Sequence, residues 1–164
     1  MNYRLKVEIE YLIALGNEKT IEELPVFSKD EQLLLRKIYQ NFNTAGAEKV
    51  KQIEATTNHD VKAIEYYIQS KVKKLHHPWI HFALTSEDVN NLSYSLMWQG
   101  GLQSVYLPAL LSLNKELKKL ARKYKNAAML ALTHGQPATP TTFGKELAVF
   151  CARLGRQIDQ IKSH

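Results

Sequence analysis

Cysteine, glycine and proline are all scarce in this sequence: one cysteine, seven glycines and five prolines among 164 residues. With Cys151 alone, no disulfide can close within the chain, which excludes a small disulfide scaffold. No run approaches the roughly 18 consecutive apolar residues of a membrane-spanning helix. Low hydrophobicity is absent too, since 45% of residues are hydrophobic and 23% charged, so the chain is core-forming rather than disordered. Met1 to Leu15 is studded with Arg4, Lys6, Glu8 and Glu10 and reads as no apolar leader. The expectation is residence in the cytoplasm.

What is present is helical pattern and a basic excess. The formal net charge is +6. Residues 81–164 carry ten basic and five acidic residues, and most of their excess lies in Lys115, Lys118, Lys119, Arg122, Lys123 and Lys125. That run reads as the solvated face of a helix rather than a polyanion surface. A nucleic-acid reader would interleave aromatics or show a reading motif, and neither occurs. Partners of that class are not expected, nor is a membrane.

Because glycine and proline cluster at few places, long helices should dominate. Asn2 to Leu15, with Leu5, Ile9, Leu12 and Ile13, reads as an amphipathic helix stopped at Gly16-Asn17. Ser28 and Glu31 form a capping box for a helix from about Asp30 to Asn41. Further helices are predicted over about Ala47 to Ala55 and Asp60 to Lys74, before His76-His77-Pro78 breaks the pattern. From Asp88 to Tyr124, Leu102, Tyr106, Leu110, Leu113, Leu117, Leu120 and Tyr124 recur at steps of four and three, a seam of coiled-coil type. Such a helix would be a rod of roughly 55 Å, with Gly100-Gly101 and Pro108 expected to bend it. A second seam runs through Leu147, Cys151, Leu154, Ile158 and Ile161. Between the seams, Ala128 to Leu132 is extended or irregular and Thr133 to Thr142 is not helical. The reading is all-α: an N-terminal layer of short helices over 1–87, then long bundle helices over 88–164.

Three polar clusters stand out. Thr56 to Lys62 reads as a helix start, with Asn58 or Thr57 as cap and Asp60 in the first turn. The same free N–H groups, with His59 and Lys62, would suit an anion. Thr85 or Ser86 caps the next helix, and paired hydroxyls there can also hold a carboxylate. His81, between Ile80 and Phe82, reads as a satisfied core histidine. In the third cluster, His134 sits in a loop fixed by Pro137 and Pro140, where a proton could be delivered with little reorganisation. No zinc-type spacing, no G-x-S-x-G elbow and no glycine-rich phosphate loop is present. Neither a metal nor a cofactor is expected.

Taken together and in order, TTNHDVK (56–62), TSEDVNNLS (85–93) and THGQPATPTTFGKE (133–146) resemble the adenylosuccinate lyases of the fumarase/aspartase superfamily, in their bacterial purine-biosynthesis form. The resemblance runs from about Tyr3 along the whole chain. It implies long helices of a central bundle, a homotetramer and a nucleotide substrate. It implies β-elimination of fumarate from adenylosuccinate, giving AMP, and from a succinylated carboxamide ribotide. By resemblance His134 is the general acid, with Thr133 beside it. Thr85 and Ser86 grip a carboxylate, and Asn58, His59, Asp60 and Lys62 hold the nucleotide part. The family's serine loop, S-S-x-M-P-x-K-x-N-P, does not occur, and Arg4 precedes Leu5 where an Arg-Tyr pair would bind phosphate. The expectation is therefore an N-terminal portion holding the acid half of a site, inactive alone. The alternative is a non-catalytic helical oligomerisation module.

Overall fold

The computed structural model describes residues 1–163. By their contacts the residues form two compact units, Met1–Met97 and the part from Trp98 onward, with the boundary inside a helix.

In the first unit, α1 (Asn2–Gly16) packs on α2 (Lys29–Gln40) and α4 (Asp60–Gln69), while α3 (Thr44–Thr57) packs on α4. Leu5, Ile9 and Leu12 of α1 are fully buried with Val50, Ile64 and Ile68. On another face of α1, Val7 meets Val61 and Val89 in a smaller cluster. The expected helix forms, and it is buried around most of its circumference rather than on one stripe. The reason is that apolar residues occupy more than one stripe, which suits a helix covered on several sides. Gly16 closes it where the chain turns back, because a Cβ there would lie 2.8 Å from the Phe27 ring.

The ends of these helices follow their local chemistry. The capping box of α2 forms: the Ser28 hydroxyl oxygen accepts from Glu31 N–H at 3.2 Å, and Glu31 Oε2 accepts from Ser28 N–H at 3.0 Å. The helix predicted over Asp60 to Lys74 is shorter, ending at Gln69, and a 3₁₀ turn, Lys74–Trp79, carries the His76-His77-Pro78 break. α5 (Ser86–Gly101) begins in this unit.

Past the boundary, α5 is followed by one π-helical turn, Leu102–Tyr106, and then by α6 (Leu107–Lys123). Pro108 falls in the first turn of α6, where its missing N–H costs least, and the π turn lies just before it. The long rod predicted from Asp88 is thus made in three pieces. α6 packs on α7 (Phe143–Lys162). Gly144 allows the close approach, since a Cβ would lie 2.6 Å from the Lys125 backbone nitrogen. Cys151 and Ile158 of the second seam are buried, whereas Tyr106, Leu113 and Leu120 of the first are exposed.

Between α6 and α7 runs an antiparallel hairpin, β1 (Ala128–Thr133) and β2 (Gln136–Thr142), with Thr133 paired to Gln136 and a bulge between Leu130 and Leu132. The non-helical reading of this stretch holds, but the pairing was not foreseen. A two-stranded ribbon tolerates Pro137 and Pro140 because each strand has an unpaired edge. The fold is mostly helical, with this one small sheet among the described residues.

Candidate functional site

Two of the polar clusters lie in the first unit, and α1 ties them together. Arg4 projects from the first turn of α1. Its Nη2 meets Asp60 Oδ2 at 2.8 Å, and its Nε–H donates to Asn90 Oδ1 at 2.9 Å. One guanidinium therefore spans the start of α4 and the first turns of α5, a task suited to a planar fork of donors. Partial burial pushes the Asp60 carboxyl up, but Arg4 and the Val61 N–H outweigh it and hold it below its ordinary range.

At the start of α4 the cap is His59, not Asn58 or Thr57. His59 Nδ1 accepts the Lys62 N–H at 3.1 Å. Asn58 instead ends α3 in the left-handed conformation, with φ of 51°, a role its short polar side chain tolerates. Asn58, His59 and Asp60 share an open depression of about 660 Å³ with Lys51, Glu54 and Ala55. The Lys62 ammonium is engaged elsewhere, 2.8 Å from Glu65 Oε2.

At the start of α5, the Thr85 hydroxyl and N–H both donate to Asp88 Oδ2 at 2.7 Å, and these two bonds hold the Asp88 carboxyl low. The Thr85 hydroxyl oxygen in turn accepts the Asp88 N–H at 3.4 Å, so Thr85 caps the helix, as one of the two predicted candidates. Ser86 is half-buried and follows it directly. The approach to this cap is a tight turn in which His81 and Ala83 both take positive φ, 63° and 56°. His81 is satisfied, as its apolar neighbours suggested: its Nδ1 bonds to Glu8 Oε1 at 2.6 Å.

Thr133 and His134 belong to the second unit. His134 and Gly135, with φ of 51° and 76°, form the two-residue turn of the hairpin, the positive-φ pair that matches the strand twist. Rather than lying in an irregular proline-fixed loop, His134 stands exposed at the tip of a paired ribbon, with exposed Thr133 closing β1.

Sequence reasoning did not single out Arg4 and Glu8, whose contacts with Asn90 and His81 reach from α1 to residues far along the chain. A signal was available. Glu8 stands three residues after Leu5 and four before Leu12, inside the buried stripe.

The family model described as lyase matches residues 1–164, and the chain belongs to that family. Among curated relatives, the adenylosuccinate lyase of Legionella pneumophila is 44% identical over 97% of this chain. That of Vibrio cholerae is 45% identical over 98%, and that of Dictyostelium discoideum 44% over 99%, so the likeness is not confined to bacteria. The chain spans about 36% of the length of each of these relatives. Among solved structures, a fumarate lyase from Mesorhizobium sp. BNC1 superposes with a TM-score of 0.70 at 19% identity, covering 98% of this chain and 37% of that one. A β-carboxy-cis,cis-muconate cycloisomerase from Acinetobacter calcoaceticus gives 0.68 at 15%, covering 99% and 37%. These two establish the shared fold. No helix among the described residues is long and apolar enough to cross a membrane.

Proposed function

We propose that this chain is the N-terminal part of an enzyme that cleaves adenylosuccinate to AMP and fumarate, and the succinylated carboxamide ribotide in the same way. The reaction is a β-elimination. A base removes a proton from the carbon beside a carboxylate, the carbanion is held as an aci-carboxylate, and an acid protonates the departing nitrogen. His134 is the acid, with Thr133 beside it. Thr85 and Ser86 hold the carboxylate of the leaving fumarate. Asn58, His59, Asp60 and Lys62 serve the nucleotide, and Lys62 would have to leave Glu65 to meet an anion directly. The base is supplied by a part of the enzyme outside this chain, so the chain alone is inactive. The enzyme is a cytoplasmic homotetramer of purine biosynthesis, and its elimination needs neither metal nor cofactor.

The observation that carries this reading is the identity of 44–45% to adenylosuccinate lyases across nearly the whole chain. The positive end of the α5 dipole at Ser86 also favours an anionic ligand there. The uncovered Leu113 and Leu120 of α6 favour the second reading, a helical oligomerisation module without catalysis. Fumarate release separates the two. The whole protein that carries this chain should release fumarate from adenylosuccinate, and residues 1–164 alone should not. Absence of fumarate from the whole protein would leave the module.

A further inference from the structure

The Glu8 side chain is fully excluded from solvent. Its neighbours on α1, Leu5, Ile9 and Leu12, are buried aliphatics, and an aliphatic residue would fill position 8 without stripping a carboxylate of water. Glu8 makes one bond there, to His81 Nδ1, and its second oxygen has no partner among the described residues. On the far side of the ring, His81 Nε2 lies 3.9 Å from Glu65 Oε1, outside hydrogen-bond reach, and Lys62 holds the other oxygen of Glu65. The imidazole therefore stands between two buried carboxylates and is bonded to one.

What the bond holds is a strained piece of chain. Left-handed non-glycine residues persist only where their surroundings fix them, and His81 and Ala83 are two within three positions. This turn closes through Leu84 N–H to His81 C=O at 3.2 Å and delivers Thr85 to its bonds with Asp88. Arg4, one helical turn before Glu8, secures the same region from the other side through Asn90 and Asp60.

We infer that Glu8 is a positioning residue: by fixing His81 it sets the turn that places Thr85 and Ser86 at the start of α5. The inference rests on the reading of that pair as a carboxylate grip, and its test separates the two claims. In Glu8→Gln the imidazole ¹⁵N signals of His81 should move, and amide exchange at Leu84 and Val89 should quicken by at least about tenfold while Ile64 and Ile68 keep their protection. In the whole protein, KM for adenylosuccinate should rise roughly tenfold with kcat within about twofold. If Glu8→Gln does not fold, Glu8→Asp, which keeps the charge and shortens the reach, should give the same pattern in weaker form. Unmoved His81 signals, or protection lost evenly throughout the first unit, would overturn the inference. Moved signals with an unchanged KM would overturn its part in substrate binding. If the unsubstituted protein showed no turnover, the functional reading would fail, and the His81 signals alone would decide the role of Glu8.

Discussion

The first unit hides large apolar side chains that the second, built from equally regular helices, leaves in the open. Among the described residues, only Cys151 and Ile158 of the buried hydrophobic residues lie beyond Met97, while Trp98, Val105, Leu113, Leu132 and Phe150 are exposed. The seam through Leu102 to Tyr124 is as regular as anything in the first unit. Yet the residue of α6 that is buried is Asn114, next to Leu113, which stays 51% exposed. Periodicity shows that a helix has an apolar face. What covers that face depends on other elements, and a spacing of three and four carries no record of them.

The contrast can be broken by substitution. Ile9→Ala removes a fully buried side chain from the centre of the first unit and should cost about 2–5 kcal/mol, read by urea or thermal unfolding. A cost under about 1 kcal/mol would mean that this core is not packed as described. Arg36→Ala should have a smaller effect. Its hydrogen bonds, ahead of a counteracting burial and the Tyr39 hydroxyl, hold the Glu10 carboxyl below its ordinary value of 4.5. A depressed carboxylate stabilises the fold above its ordinary value and loses that contribution as pH falls through its folded one. The unsubstituted chain should therefore lose stability in acid more steeply than the variant, and the two curves should converge at low pH. Parallel curves would mean that the ion pair contributes nothing to the acid dependence of stability. Leu113→Gln should change stability least, by less than about 0.5 kcal/mol in the chain alone. A loss comparable to that at Ile9 would show that the face is covered after all.

Much of the helical layer was legible because its signals are local. The Ser28 and Glu31 box, the stop at Gly16 and the start at Asp60 each need only a few neighbouring residues. The hairpin was not, because His134-Gly135 is not among the strong turn pairs and β2 carries two prolines. Nor was the cap at His59, where an imidazole nitrogen does what Asn58 or Thr57 could have done. The polar blocks themselves were plain in the sequence, since loop chemistry at helix starts is local as well. Their connection through Arg4 and Glu8 was not, because bonds such as His81 to Glu8 and Arg4 to Asn90 join residues far apart in sequence.

We propose His134 as the acid of an adenylosuccinate-cleaving site. That role is tested most directly by fumarate release from adenylosuccinate in the whole protein carrying His134→Asn. Loss of a general acid should lower kcat by about 10²–10⁴-fold, with KM changed by less than about threefold. Turnover at the unsubstituted rate would contradict it.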